Sequence, residues 1–432
     1  MKRQDDSTHI ATLANGVRVV TIALPHLASV SVSVFVRTGS RHESARLNGI
    51  SHVVEHMAFK GTEARDARAI NLDAERLGAQ VNAHTDKDHT AYHIGGLVQH
   101  TGVFIEMLGD IVQRSVFPAD ELERERQVIL QEFIEDEDDP LSTAFKLFDK
   151  TCFGAHPLAQ PVIGTRRNIE RFARDELLGY VQRQYTGANV IVGVAGNVEP
   201  EAVVDAVAAA FGAMPAGAEN AVPAPGYVGG IHARRQAGSS QSHVVMGYPI
   251  ASLRGDWKAG DAVRGDQAGQ VAAALFGEGM SSPLLHEIRE RRGLVYYANC
   301  TAEVTDLAGL FTIEASTTPE HLDEFFTETF ALLEAQASAI DAVDLERARN
   351  QIAVRRLRAH ERPWRRLEDA AQDLFAFGRV RSAAELAAQV EAVGARDLKR
   401  VFERMLSAPP SIAIAGRVPR NALARVHELT AS

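Results

Sequence analysis

Three residues within the run His52-Val53-Val54-Glu55-His56 could do chemistry: two imidazoles and a carboxylate at a spacing that suits a catalytic metal ion. If the run is helical, His52 and His56 stand one turn apart on the same side and can both reach a single ion. Glu55 stands beside them, close enough to take a proton from a water at that ion. Zinc suits such donors, and in hydrolytic sites it usually takes three protein ligands and keeps a fourth position for water. With 16 His in the chain, a pair one helical turn apart is informative only if a third ligand accompanies it. The helical stretch from Asp120 to Glu132 offers Glu125 and Glu132, two turns apart on one face. Both lie on the stripe that would face the first helix, and the residues alone do not choose between them.

The order H-x-x-E-H reverses the H-E-x-x-H metallopeptidase signature and asks the same of its residues. The segment Asn48-Gly-Ile-Ser-His-Val-Val-Glu-His-Met-Ala-Phe-Lys-Gly-Thr62, followed by Glu132 in Val128-Ile-Leu-Gln-Glu-Phe133, resembles the pitrilysin–insulysin family of inverzincin metallopeptidases. Within it, the bacterial members similar to mitochondrial processing peptidase are the better likeness. The resemblance implies that His52, His56 and Glu132 hold one zinc ion per chain and that Glu55 is the general base. It also implies that Glu125 orients a ligand histidine through its other ring nitrogen.

These residues need elements to hold them. A chain of 432 residues exceeds one core and predicts two domains. Hydrophobic residues at 45% and charged residues at 24% are ordinary globular values, and a net charge of −10 leaves no basic footprint for nucleic acid. No run approaches transmembrane length, so no membrane partner is expected. The first nine residues lack the apolar core of a secretory signal, which points to the cytoplasm, or to the periplasm if a longer precursor was trimmed. Cys152 and Cys300 are too few for a disulfide framework.

The two halves echo each other. Val17–Ile22 and the strictly alternating Ser29–Val36 read as strands, a strand pair follows around Val81 and Tyr92, and the first half closes on a strand at Asn189–Asn197. Leu122-Glu-Arg-Glu-Arg-Gln127 returns as Leu345-Glu-Arg-Ala-Arg-Asn350, and Val194-Ala-Gly-Asn-Val198 as Ile414-Ala-Gly-Arg-Val418, both about 220 residues later. The expected fold is therefore α+β: two homologous repeats, each a mainly antiparallel sheet covered by helices, which the resemblance describes as half of a clamshell. The predicted division is a zinc-binding domain over 1–214, a Pro/Gly/Ala-rich linker over 215–232 and a metal-blank copy over 233–432. In that copy Ala273, Leu275 and Gly277 lie where the histidines would be, and Arg355 replaces the glutamate.

The second copy carries Arg289 and Tyr296, seven residues apart, with Tyr297 as an alternative. They match an Arg–Tyr pair that the resemblance implies for stabilising the oxyanion of amide hydrolysis. The family's chamber uses four such repeats and this chain supplies two. A homodimer, or a heterodimer with a homologous subunit, is thus the expected assembly, with peptides as substrate. Gly78–Thr85 resembles the family's edge strand, on which Asn82 and Ala83 would bind an extended peptide. His84, His89, His93, His100 and His156 lie outside the motif and read as non-ligands. The expected function is a zinc endopeptidase of short or unfolded peptides; its competitor is a non-catalytic scaffold subunit of the same fold.

Overall fold

A computed structural model describes residues 7–255 and 265–431. The charged start of the chain, on which the reading of a missing secretory signal largely rests, lies outside the described residues. Contacts divide the chain into two compact units. The first is built on six strands: β1 (Thr8–Thr12), β2 (Arg18–Ala23), β3 (Ser29–Val36), β4 (Gln80–Thr85), β5 (Thr90–Leu97) and β6 (Val190–Gly196). Their order in the sheet is β1-β2-β6-β3-β5-β4, antiparallel throughout except where β2 runs parallel to β6.

The second unit has five strands, β7 (Gly230–Arg235), β8 (Ser242–Ile250), β9 (Val295–Val304), β10 (Gly309–Thr317) and β11 (Ser411–Gly416). Their order, β7-β11-β8-β10-β9, has one parallel pair, β7 with β11. Read side by side, β2-β6-β3-β5-β4 and β7-β11-β8-β10-β9 have the same connectivity and the same place for the parallel pair. This is the repeat seen as topology. The segment between the halves has no helix or strand over 215–229, and β7 begins at Gly230.

The units do not follow the halves of the sequence in one respect. Residues 135–159 belong to the second unit and residues 359–382 to the first. Each segment carries an amphipathic helix, Pro140–Phe153 and Pro363–Phe377, each opening with proline at a position that needs no N–H. Leu367, Ala370, Ala371 and Leu374 of the later helix cover Phe35, Ala91, Ile191 and Ala195 on one face of the first sheet. Ala144, Phe148 and Cys152 of the earlier helix cover Val245, Ala413 and Ala415 of the second. Strands buried on both faces explain why β6 and, after Ser411, β11 are apolar without alternation and buried at every position.

The opposite face of the first sheet carries the short helix Ile50–Ala58 and the helices Thr101–Arg114 and Ala119–Asp138. Ile50, Val53, Val54 and Met57 form the buried stripe of the short helix, each contributing roughly 1.5–3 kcal/mol by leaving water. Its start is set by Gly49 at φ 97°, packed so closely on Gly164 that a side chain would collide with the Gly164 backbone.

The N-terminal N–H groups of that helix are satisfied by Glu43. Its buried carboxylate accepts from Gly49 N and Ser51 N at 2.8 Å and from Asn48 Nδ2 at 3.0 Å. Burial raises the Glu43 pKa, opposed by these donors. Glu43→Ala strands them, and denaturant unfolding is expected to show a loss of about 3 kcal/mol. A change of a few tenths would mean that water replaces the carboxylate.

Candidate metal centre

The helix Ile50–Ala58 turns His52, Glu55 and His56 away from its buried stripe. Glu132 comes from the long helix Ala119–Asp138. Its Oε2 lies 3.7 Å from His52 Nε2 and 3.5 Å from His56 Nε2, and the three donor atoms all lie within 4.8 Å of one another. Bonds of about 2.1 Å at tetrahedral to trigonal angles require donor separations of about 3.4–3.6 Å. The donor set therefore fits zinc. Burial and the neighbouring His56 lower the His52 pKa to about 4, leaving its ring neutral and its lone pair free for a metal.

Glu125 and Glu132, between which the residues alone did not choose and which the resemblance assigned as orienting partner and ligand, take different places. Glu125 Oε2 lies 3.1 Å from His56 Nδ1, on the far side of the ring from Glu132, and its Oε1 pairs with Lys60 Nζ. His52 has no such support, because its Nδ1 is buried without a hydrogen-bond partner. Carboxylates behind metal-binding imidazoles typically contribute a factor of about 10–100 in metal affinity. Glu125→Gln is expected to weaken zinc binding by that factor, measured by competition with a chromophoric chelator; an unchanged affinity would remove Glu125 from the centre.

Glu55 is not one of the three converging donors. It accepts a hydrogen bond from the Thr85 hydroxyl at the end of β4, which ties it to the sheet. Burial raises its pKa, and Glu132 adds to the rise, while Thr85 and His56 oppose it. Asn82 and Ala83 lie on β4, the terminal strand of its sheet, which pairs only with β5 among the described residues. Asn82 Oδ1 accepts from Ala83 N at 2.8 Å.

Arg289 and Tyr296 lie in the second unit. Arg289 sits on a π-helical turn, Leu285–Arg291, with Nη1 3.4 Å from Met280 Sδ, and Tyr296 on β9 is 82% exposed. Tyr297 differs: its phenol donates to Glu314, and burial together with that carboxylate pushes its pKa up to about 12. Of the two tyrosines, Tyr296 is the more exposed. Where the first unit has its ligands, the second has the buried helix Gly265–Gly277, and Arg355 pairs with Glu278. Both groups of metal-type donors found among the described residues lie in the first unit.

Sequence comparison bears on the same residues. Residues 18–166 match the description "Insulinase (Peptidase family M16)", and residues 171–352 match "Peptidase M16 inactive domain". An uncharacterized zinc protease of Rickettsia bellii is 30% identical over 411 residues, covering 95% of this chain and 98% of the relative. The chain belongs to peptidase family M16.

A second M16 relative, the uncharacterized zinc protease YmxG of Bacillus subtilis, is 32% identical over 79% of this chain and 81% of its own. Among solved structures, a protease from Helicobacter pylori superposes with a TM-score of 0.85 at 22% identity, over 95% of this chain and 99% of that one. A chain of Complex III2 from Candida albicans gives 0.82 at 18% identity, over 96% and 99%. At such identities these two show the fold alone. The M16 fold is thus two homologous α+β domains, and the matches that bear on chemistry are zinc proteases by name. No helix among the described residues is long and apolar enough to cross a membrane.

Glu43, its partner Asn48 and the Tyr180 hydroxyl, which bonds Thr38 at 2.6 Å and Ser51 at 2.8 Å, anchor the motif helix from behind. Sequence reasoning passed over all of them. The only signal was a glutamate shortly before a glycine that opens a helix, too common a pattern to single out.

Proposed function

We propose that this M16 chain is a zinc-dependent endopeptidase that hydrolyses short or unfolded peptides in a chamber formed by dimerisation. The observation that carries the reading is the convergence of His52, His56 and Glu132 with Glu55, a partly buried carboxylate of raised pKa, beside them. A scaffold has no need of three ligands and a base held together.

His52, His56 and Glu132 hold the ion, and Glu125 keeps the His56 ring in place. When bound, zinc supplies Lewis-acid polarisation of the scissile carbonyl and acidifies water toward neutrality. Glu55 takes a proton from the attacking water and later delivers it to the leaving amine. The free edge of β4 accepts the substrate as an added strand, with main-chain pairing at Asn82 and Ala83. Only an extended backbone can pair in this way, so folded proteins are poor substrates. Arg289 and Tyr296 of a partner chain donate to the developing oxyanion.

The activity is tested with an internally quenched unfolded peptide: cleavage of interior bonds that stops with chelator supports the reading, and inert, metal-free pure protein contradicts it. The shared site is tested by complementation. A chain carrying Glu55→Gln and a chain carrying Arg289→Ala with Tyr296→Phe are each expected to be nearly inactive. Mixed, they form one intact site per mixed dimer, so about a quarter of parental activity should return. Failure to recover activity in a mixture shown to exchange subunits would confine each site to one chain.

A further inference from the structure

A second cluster of metal-type donors stands on the other face of the first sheet. Along β4, Val81 and Ala83 pack toward the core that contains the motif helix, and Thr85 bonds Glu55. Side chains alternate along a strand, so His84 points the opposite way, toward the layer where the helix Pro363–Phe377 packs. There its Nε2 lies 3.6 Å from Glu368 Oε1, longer than a hydrogen bond and equal to the separation of two ligands on one ion. His89, which precedes β5, is the third member. One donor atom each from His84, His89 and Glu368 lies within 4.8 Å of the others.

The supporting bonds prepare lone pairs for such an ion. His89 is 2% exposed, and its Nδ1 faces Asp86 Oδ2 at 3.1 Å. A proton on Nδ1 leaves the Nε2 lone pair bare, and that buried Nε2 has no hydrogen-bond partner. His84 Nδ1 lies 3.0 Å from His93 Nε2, and His93 Nδ1 lies 2.9 Å from Ser33 Oγ. Donation outward along this chain, from His84 to His93 to Ser33, frees the His84 Nε2 lone pair in the same manner. Glu368 uses its other oxygen on Arg365, 3.0 Å away, which leaves Oε1 to the cluster.

We propose that His84, His89 and Glu368 form a second site for a divalent transition metal of the zinc class. Two imidazoles and one carboxylate are donors that zinc, cobalt and nickel accept and that calcium and magnesium do not favour. A carboxylate behind a ligand histidine, as Asp86 stands behind His89, is a usual surrounding of such ions. An ion there ties the edge strand β4 and the β4–β5 turn to the helix Pro363–Phe377, which is distant in sequence. Its role is to rigidify the strand whose other side carries Thr85 and the metal centre.

The test uses cobalt(II) and the full chain carrying His52→Ala and His56→Ala, in which the first centre is disabled. That chain is expected to bind about one equivalent with the visible absorption of a four-coordinate ion, and to melt at a higher temperature with the metal. Adding His84→Asn, at a partly accessible side chain, or the nearly isosteric Glu368→Gln, at a buried one, should lower the affinity at least about tenfold and remove the absorption. Should the double variant fold poorly, zinc analysis of the parent chain decides: about two ions per chain, falling to about one in His84→Asn. Absence of cobalt binding, binding indifferent to His84→Asn and Glu368→Gln, or one zinc in the parent overturns the proposal.

Discussion

Replacing Glu55 with Gln is expected to leave zinc bound and to lower peptide turnover at least about a hundredfold, the usual scale of general acid–base help. The exchange keeps the size of the side chain and its hydrogen bond to Thr85, but an amide cannot take a proton. Glu55 is not one of the three converging donors, so the ion has no reason to leave. Burial, the leading cause of its raised pKa, increases the carboxylate's proton affinity, which is what a base near neutrality needs. Zinc content and steady-state cleavage measured on the same preparation check both halves of the statement. Parental turnover would remove Glu55 from the chemistry, and loss of zinc would make it a ligand instead.

The second large effect is expected at His56. Its ring is gripped from both sides, by Glu132 at Nε2 and Glu125 at Nδ1. His56→Ala removes one of three ligands and leaves the Glu125–Lys60 pair without its third member. Because outer partners alone contribute about 10–100-fold, loss of the ligand itself should weaken zinc by more than a hundredfold. Turnover then falls to background at physiological zinc. The fold survives, since the helix keeps Ile50, Val53, Val54 and Met57 in the core, and circular dichroism should be unchanged. If His56→Ala retained zinc in the first centre and cleaved peptide, the ligand assignment would be wrong.

The sequence carried the repeat and the metal motif plainly, for physical reasons. Strands with strict alternation, such as Ser29–Val36, and metal ligands at one helical turn are local patterns. The choice between Glu125 and Glu132 was not local. Two turns apart on one helix, both face the motif helix, so only the family resemblance or three-dimensional placement separates a residue that meets Nε2 from one that backs Nδ1. Nothing in the residues of the helices Pro140–Phe153 and Pro363–Phe377 says which sheet they cover. Glu43 was hidden because a helix cap supplied from several residues upstream has no fixed spacing. His84, His89 and Glu368 were hidden further still. The first two looked like scattered strand histidines, and their third partner lies more than half the chain away.

The central claim is that zinc held by His52, His56 and Glu132 makes this chain a peptidase. Its most direct test is to strip the purified protein of metal, add zinc stepwise and follow cleavage of an unfolded quenched peptide. Activity absent in the metal-free protein, rising with zinc and unattainable in Glu55→Gln at any zinc level, is the predicted result. Metal-free protein that cleaves at the zinc-loaded rate, or zinc-loaded protein that cleaves nothing, would contradict the account.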